Sequence, residues 1–269
     1  MKISTFLSLI VLCCCQLHFS QSGKSLSDTI SLDKRLHVGD EFTYLVKYAF
    51  LNLGEVKTKV YSKDTINGKS VYKSIAHIDS YDGLPFVNIH QTYETWFDST
   101  FYPLFFRALD FNEQDTSYTK YHFINDNTVH ILKGKLNRED TSIDTTVTVL
   151  QRCHDGLSLL FYARFMSRLN NLLTIPCFIN EDTAVTKIFY EDNEEAISIE
   201  TLDYEVDCFR IEGIAGFTGV FGLTGDFDGW FSNDEYSVPI YANLQVIIGN
   251  IAIELINWER GEWQPPAYE

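Results

Sequence analysis

The sequence predicts an all-β fold with one short helix, arranged as a single antiparallel domain that is either a barrel or a sandwich. Three observations indicate this class. Stretches in which apolar and polar residues alternate recur along the chain, as in residues 42–50. Gly, Asn and Asp separate these stretches at turn positions. Aromatic residues make up 14% of the chain, a share that favours strands. Because few helices intervene, neighbouring strands are expected to pair antiparallel.

The first strands show the pattern most clearly. Phe42 to Phe50 carries an apolar or aromatic side chain at every second position, which is typical of a half-buried strand. Residues 53–55 interrupt it, and residues 56–60 form a returning strand. Asn67-Gly68 tolerates positive φ at both positions and predicts a tight hairpin. Further strands are predicted at 70–78, 87–97, 104–111, 117–124, 128–132 and 145–149, with a turn at 125–127.

The periodicity changes once, between Asp155 and Met166, where the spacing predicts an amphipathic helix. Asp155 is the expected N-cap, because its carboxylate is placed to accept an amide proton of the first turn. The expected buried side of this helix is formed by Leu157, Leu160, Phe161 and Arg164. One such helix would cover apolar surface that the strands leave open.

Strands resume after the helix. Residues 226–235 and 236–240 predict two strands joined at a turn of Ser232 to Glu235, directly after a glycine-rich irregular region at 216–225. The other strands predicted in this half are 175–179, 185–190, 197–202, 204–213, 244–249 and 251–258.

Residues 1–22 predict a secretory signal peptide. Lys2 precedes an apolar run at 6–15 that is too short to span a bilayer, and Ser20 to Ser22 supplies small residues for cleavage. A lipoprotein signal is the alternative, since cysteines occupy 13–15. Residues 23–35 are then expected to be a flexible leader, 36–260 a single β-rich domain and 261–269 a tail. No later segment is long and apolar enough to predict a transmembrane helix.

Charge and cysteine content limit the function. The chain has 21 basic and 37 acidic residues, a formal charge of −16, which disfavours nucleic acid and anionic membrane as partners. Cys153, Cys177 and Cys208 follow the signal. In an oxidising compartment they would form one disulfide and one thiol, or three buried, inert thiols.

Two segments contain residue types that carry chemistry. Cys153-His154-Asp155 has the residue types of a nucleophilic triad, but adjacent side chains diverge, so a strand-to-helix turn is expected. Asp226-x-Asp228-Gly229 with Asp234 and Glu235 offers oxygens for Ca²⁺ without the order of an EF-hand loop, so an acidic hairpin is expected. No catalytic, cofactor-binding or metal-binding residue is assigned.

The remaining polar positions are interpreted as structural. Glu191 to Glu195 is expected to be a solvated turn between two strands. Paired carboxylates for glycoside hydrolysis stay open, because their partners need not be close in sequence. Four histidines are expected to sit singly in strands, namely His77, His90, His122 and His130.

Three segments together resemble a known family. They are residues 39–55, residues 155–164 and residues 230–255, which contain Gly39-Asp40-Glu41-Phe42, Asp155-Gly156-Leu157-Ser158 and Trp230-Phe231-Ser232-Asn233-Asp234-Glu235. In that order they resemble the exported bacterial family catalogued as Domain of Unknown Function 3108, over about residues 36–260. The resemblance implies a β-rich, barrel-like envelope domain from a Gram-negative bacterium, and it implies no catalytic residue.

The sequence therefore favours an exported cell-envelope protein, periplasmic or extracellular, with outer-membrane association as a possibility. The leading hypothesis is a non-catalytic binding or structural module for an apolar ligand, a glycan or an envelope protein, since a closed β architecture can enclose a ligand. One alternative is a carboxylate-based hydrolase acting on envelope polymer. The other is a scaffold for a protein partner, which would expose a contiguous apolar patch.

Overall fold

The computed structural model describes residues 35–84, 87–112, 115–138, 140–169, 171–219, 223–246 and 249–269. The expected signal peptide and all but the last residue of the expected leader lie outside the described residues. Within the described ranges, the chain forms fourteen strands, one α-helix and two 3-10 turns.

The strands form two groups separated by the helix. The first group is β1 (Glu41–Tyr48), β2 (Leu51–Ile66), β3 (Lys69–Ser80), β4 (His90–Asp98), β5 (Pro103–Asn112), β6 (Asp115–Asn125), β7 (Thr128–Lys135) and β8 (Asp140–Thr148). The helix α1 covers Gly156–Met166. The second group is β9 (Leu172–Ile179), β10 (Asp182–Ile197), β11 (Val206–Ala215), β12 (Leu223–Ser232), β13 (Pro239–Val246) and β14 (Gly249–Glu259).

All of these strands belong to one antiparallel sheet in the order β8-β7-β6-β5-β4-β3-β2-β1-β14-β13-β12-β11-β10-β9. Each group is a meander, in which neighbours in the chain pair with each other. The two meanders join where β1 pairs with β14, and Glu41 lies opposite Glu259. β8 and β9 form the two ends of the sheet. The predicted fold class, antiparallel all-β with one short helix, is confirmed.

The sheet curls around α1, which packs on both meanders. Leu159 and Ala163 belong to an apolar cluster with residues of β9 to β12. Leu157, Phe161 and Phe165 belong to a second cluster with residues of β2 to β4. Because apolar side chains surround the helix on two sides, α1 fills the space that the sheet encloses.

The predicted helix and its N-cap are confirmed. The Asp155 carboxylate accepts the amide protons of Leu157 and Ser158 at 2.8 and 2.9 Å. The Ser158 Oγ accepts the Asp155 amide proton at 3.0 Å, which completes a capping box. The predicted buried side is wrong at Leu160, which is 37% exposed, because α1 is buried on two sides rather than along one stripe.

Local turn chemistry predicts the hairpins well. Asn67 and Gly68 have φ values of +51° and +76° and connect β2 to β3, as expected for a primed hairpin turn. Asn125 to Asn127 connects β6 to β7, and the Asn127 amide donates to Asn125 Oδ1 at 2.9 Å. Both predicted turns are confirmed.

The hairpin around Trp230 is confirmed with a longer connection than predicted. β12 ends at Ser232, and β13 begins at Pro239 rather than at Tyr236. The cause is Asp234, whose Oδ1 accepts the amide protons of Tyr236 and Ser237 at 2.8 and 3.0 Å. These hydrogen bonds hold a side-chain-capped turn in place of the start of a strand.

Two predictions are wrong near β1: the strand at 197–202 and the half-buried state of β1. The loop that follows β10 accounts for both. The strand predicted at 197–202 is a loop, because β10 ends at Ile197. This loop lies against β1 and β14, where Lys47 Nζ contacts Glu200 Oε1 and Glu254 Oε2, both at 2.7 Å. The same cover explains why β1 is buried on both faces from Glu41 to Val46 rather than half-buried.

The turn predicted at Glu191 to Glu195 is also wrong. β10 continues through these residues to Ile197, and a β-bulge shifts its register against β11 between Tyr190 and Glu194. A bulge absorbs extra residues and bends the strand without ending it, so an acidic, exposed segment stays in the sheet.

The end of the chain runs along the start of β11. The amides of Asp207 and Tyr268 donate to the carbonyls of Pro266 and Glu205, both at 2.8 Å, and the Tyr204 hydroxyl donates to the Pro265 carbonyl at 2.8 Å. The segment expected to be a tail is therefore hydrogen-bonded to the sheet.

Candidate functional site

Residues 149–155, here called the seam segment, close the gap between β8 and β9. At one end, the Val149 amide donates to a carbonyl of the β6–β7 turn at 2.8 Å. At the other, the His154 amide donates to the Pro176 carbonyl at 2.9 Å, and the Phe178 amide donates to the His154 carbonyl at 2.8 Å. The seam segment therefore connects the two ends of the sheet through the backbone, including a parallel bridge to β9.

The three cysteines after the predicted signal are free and buried. Cys177 shares a face with its bridge partner His154, so Cys153, the neighbour of His154, faces the other way. The two thiols accordingly lie in different apolar clusters. Burial raises the pKa of Cys153, and it raises the pKa of Cys177 to about 11. Both side chains therefore favour the protonated thiol, which is unreactive. Burial also raises the pKa of Cys208.

His154 is a packed aromatic residue. The residue is 1% exposed. Its ring lies between the rings of Tyr102 and Tyr162, with 4.6 and 4.5 Å between the ring centroids. Burial, followed by the nearby Arg152 cation, lowers the pKa of His154 to about 4. Its Nδ1 is buried with no hydrogen-bond partner among the described residues. His154 is therefore neutral at pH 7.

Asp155 is fully buried, and its hydrogen bonds point away from His154. Its Oδ1 accepts the two amide protons of the helix start, and its Oδ2 accepts the Thr95 hydroxyl at 2.6 Å. Burial raises the pKa of Asp155 to about 6, although these donors favour the ionised form. The Cys153 thiol instead donates to the Gln151 carbonyl at 3.3 Å. The three residue types of a triad are adjacent here, but their polar atoms do not converge.

A groove of about 220 Å³, here called the seam groove, lies beside the seam segment. It is bounded by the start of β3, the β4–β5 turn, the β6–β7 turn and residues 149–153. Apolar and aromatic side chains form its walls, and polar atoms make up about half of its lining surface; the apolar and aromatic residues are Tyr102, Pro103, Leu104, Phe123, Ile124, Val129, Val149 and Cys153. Its rim is polar, formed by Lys69, Asp98, Asn125, Asp126 and Arg152.

Arg152 organises the rim. Its Nη2 contacts Asp98 Oδ2 at 3.3 Å, and its Nε contacts Asp126 Oδ1 at 3.1 Å. Its guanidinium also lies over the Tyr102 ring, 3.9 Å from the centroid, in a cation–π contact. These contacts fix a guanidinium at the edge of an apolar surface. The Lys69 side chain forms no ion pair or hydrogen bond with the described residues and places a second cation at the same rim.

A second polar cluster lies at the other end of α1. Arg164 is 4% exposed, and its Nε donates to the carbonyls of Tyr236 and Ser237, each at 2.9 Å. Burial, and then the charge of Arg260, lowers the pKa of Arg164 to about 10, so the guanidinium remains charged. Its Nη2 has no hydrogen-bond partner among the described residues. Arg164 borders a cavity of about 20 Å³, which has room for about one water molecule.

Arg260 and Asp40 form a buried ion pair beside Arg164. The Arg260 Nη2 donates to the Arg35 carbonyl at 3.0 Å, and its guanidinium lies 4.2 Å from the Tyr236 ring centroid. This cluster joins the start of β1, the end of β14, the helix and the β12–β13 connection. The three segments that carry the family resemblance meet here, a convergence that depends on the order of strands in the sheet.

The acidic residues considered for Ca²⁺ have separate roles. Asp228 Oδ1 contacts Arg210 Nη2 at 2.7 Å in the strand pair β11–β12. Asp234 caps the β12–β13 connection, and its Oδ2 accepts the Trp263 Nε1 proton at 2.7 Å. Across the described ranges, no group of three or more His, Cys, Asp or Glu side chains is arranged to hold a metal ion.

Two of the histidines expected to be single are cross-strand neighbours. On the outer face, the rings of Trp96, Phe105, His122 and His130 form a row across β4 to β7, with successive centroid distances of 4.9, 5.0 and 6.0 Å. The three pairs are inclined at 53°, 52° and 30°, so each ring packs against its cross-strand neighbour and the row stabilises strand pairing. Register creates this row, and no local sequence signal predicts it.

The fold and these sites define a β-rich domain wrapped on one helix, in which the seam segment links the two ends of the sheet and the polar atoms of Cys153, His154 and Asp155 do not converge. The chain belongs to the family described as Protein of unknown function (DUF3108), whose model matches residues 43–256. The resemblance inferred from the three segments is thereby confirmed. None of the curated proteins compared with the chain matches it.

Three solved structures were found to be similar to this chain, and the first of them, with a TM-score above 0.5, has the same type of fold. The β-barrel-like protein of Domain of Unknown Function DUF1849 from Brucella abortus has 7% identity and a TM-score of 0.56, with 84% of this chain and 99% of that chain covered. The hypothetical protein CT021 from Chlamydia trachomatis has 8% identity and a TM-score of 0.35, with 87% and 93% covered. A candidate lipoprotein from Parabacteroides distasonis has 8% identity and a TM-score of 0.31, with 83% and 96% covered. Among the described residues, α1 is too short to cross a bilayer, and no other helix qualifies.

Proposed function

We propose that this chain is an exported cell-envelope protein, periplasmic or extracellular, that acts as a non-catalytic binding module with its ligand in the seam groove. The observation that carries the proposal is the groove, where apolar side chains lie beside the paired charges of Arg152, Asp98 and Asp126. Ligand sites typically combine apolar walls with a few placed polar groups. At about 220 Å³ the groove suits a small ligand rather than a polymer.

The interior of the sheet does not support the expectation of an enclosed ligand. The helix occupies that space, and the cavity beside Arg164 measures only about 20 Å³. Aromatic residues such as Phe97 and Phe209 are fully buried in the packing around α1. A ligand therefore has more room at the seam than inside the sheet.

The geometry favours binding over carboxylate-based hydrolysis. Asp98 and Asp126 are the carboxylates of the groove, and both contact the same guanidinium, that of Arg152. A hydrolase needs one carboxylic acid with a raised pKa facing the other carboxylate across the substrate. Asp155 has a raised pKa, but it lies sealed beneath the start of α1.

Ligand-observed NMR with a low-mass extract of a Gram-negative envelope tests this proposal. The protein is residues 23–269, and the blocking variant is Ile124→Trp, which adds bulk in the groove at a position that is 62% exposed. Leu172→Trp is the matched control, because Leu172 is 53% exposed and lies on β9 outside the groove. We expect saturation transfer to an extract component with wild type and control, and its loss with Ile124→Trp. Equal transfer in all three proteins, or none, contradicts the proposal.

A further inference from the structure

We propose that the seam groove binds a small zwitterion with an apolar side chain, such as a free apolar α-amino acid. This inference rests on the proposed function and specifies the ligand class. It follows from three features of the groove: its cationic side, its anionic side and its apolar floor.

The cationic side is formed by Lys69 and Arg152. Arg152 contacts the two carboxylates through Nε and Nη2, so a ligand would be bound through its third nitrogen, Nη1. Lys69 is exposed at the start of β3, and its side chain makes no ion pair or hydrogen bond with the described residues. A ligand carboxylate placed between them would gain two charge-assisted hydrogen bonds.

The anionic side is formed by Asp126. Its Oδ1 contacts Arg152 Nε at 3.1 Å, and its side chain is 72% exposed, so its second oxygen faces solvent. Asp98 is less available, because its Oδ1 already accepts the amide proton of Thr100 at 2.8 Å and its Oδ2 contacts Arg152. A ligand ammonium would therefore be held by Asp126.

The balance of charge distinguishes a zwitterion from a simple anion or cation. The groove has two cations, Lys69 and Arg152, and two carboxylates, Asp98 and Asp126, while the whole chain carries −16. A simple anion would enter against that overall field, and a simple cation would leave Lys69 and Arg152 without a new partner. A ligand that carries both charges satisfies both sides of the rim.

The apolar floor sets the third part of the ligand. Leu104, Phe123 and Val129 line the groove together with the Cys153 thiol, which burial keeps protonated. Such a floor accepts an alkyl or aryl group by removing apolar surface from water. The available volume, about 220 Å³, fits one amino-acid side chain with its backbone atoms.

Isothermal titration at pH 7 with three probes tests the ligand class on residues 23–269. The probes are L-phenylalanine, 3-phenylpropionate, which lacks the ammonium, and phenethylamine, which lacks the carboxylate. We expect L-phenylalanine to bind at least about threefold more tightly than either analogue, as expected when one exposed ion pair is lost. If either analogue binds as tightly as L-phenylalanine, the zwitterion assignment is overturned.

Two variants separate the two charged ends. Lys69→Met should weaken L-phenylalanine by about 2- to 5-fold and leave phenethylamine unchanged, since it removes the carboxylate contact. Asp126→Asn should weaken L-phenylalanine by a similar factor and leave 3-phenylpropionate unchanged. Lys187→Met and Asp226→Asn, at exposed positions of β10 and β12, are the matched controls and should change nothing.

The outcomes distinguish this inference from the proposed function. If Ile124→Trp abolishes binding of an extract component but L-phenylalanine does not bind to the wild type, the ligand class is wrong and the binding function stands. If neither the extract nor L-phenylalanine binds, both are overturned. If L-phenylalanine binds equally to wild type and Ile124→Trp, its site lies outside the groove and the inference is overturned.

Discussion

The two ends of α1 each bury a charged side chain that has no ion-pair partner among the described residues, but the two side chains are hydrogen-bonded differently. At the N-terminus, the Asp155 carboxylate accepts three hydrogen bonds, from Thr95 and two helix amides. At the C-terminus, the Arg164 guanidinium donates to two carbonyls and leaves Nη2 without a described partner. Both charges have the sign that the helix dipole favours. The comparison indicates that the N-terminal end is electrostatically complete, whereas the C-terminal end depends on the loop that supplies its carbonyls.

The largest effect is expected from Arg164→Ala. It leaves the carbonyls of Tyr236 and Ser237 buried without their donor and removes packing against the rings of Phe42 and Phe165. We expect the free energy of unfolding to fall by about 3–5 kcal/mol, since each orphaned buried acceptor costs ~1–3 kcal/mol. Urea denaturation measures it. A loss below about 1 kcal/mol would mean that water replaces the guanidinium at the C-terminal end.

A smaller loss is expected at the N-terminal end. Asp155→Ala removes the cap and the acceptor of Thr95, and we expect it to cost about 2–3 kcal/mol. Asp155→Asn retains a capping oxygen and should cost less than about 1 kcal/mol at pH 7. The same denaturation experiment gives both values. Equal losses in the two variants would show that the negative charge, rather than the hydrogen bonds, is required.

The free energy of unfolding should contain two contributions, from Asp155 and His154, that change in opposite directions with pH. Burial raises the pKa of Asp155 to about 6, so its contribution to stability falls as pH rises from about 4 to 6. Burial lowers the pKa of His154 to about 4, so its contribution rises over the same window, as the unfolded state binds the extra proton. In wild type these two slopes oppose each other. Relative to wild type, Asp155→Asn should gain stability with rising pH and His154→Phe should lose it, each by about 1.4 kcal/mol per pH unit.

Denaturation between pH 4 and 6 measures these differences, with each variant compared to wild type so that surface carboxylates cancel. Parallel curves for wild type and both variants would contradict the opposing terms. They would show that neither group changes its proton occupancy on unfolding in this range.

The smallest effect is expected between the two ends, at Leu160. This residue is 37% exposed, so Leu160→Gln should change the free energy of unfolding by less than about 0.5 kcal/mol. Phe161→Ala, at the next residue, removes a ring that packs against Phe97, with 4.9 Å between the ring centroids, and should cost about 3–5 kcal/mol. Similar losses at both positions would contradict the two-sided burial of the helix.

Features set by local chemistry could be predicted from the sequence. Asn67-Gly68 fixes its hairpin through positive φ, and Asp155 begins the helix through its own carboxylate. Features set by the neighbouring strand could not. The seam groove needs the β4–β5 turn, the β6–β7 turn and residues 149–153 side by side, and the contact of His122 with His130 needs the β6–β7 register. A sequence gives no measure of such non-local register.

The pairing of β1 with β14 has a consequence for how the chain folds. Glu41 must pair with Glu259, so β1 and β14, the first and last strands of this sheet, lie side by side in its middle. The meander β1–β8 can form hairpins early, but its central edge stays unpaired until the final strand is available. Such high contact order predicts slow closure and an exposed strand edge in any chain that is cut short before β14. Completion of the sheet therefore has to wait until β14 has been synthesised, however far β1 to β8 have already folded.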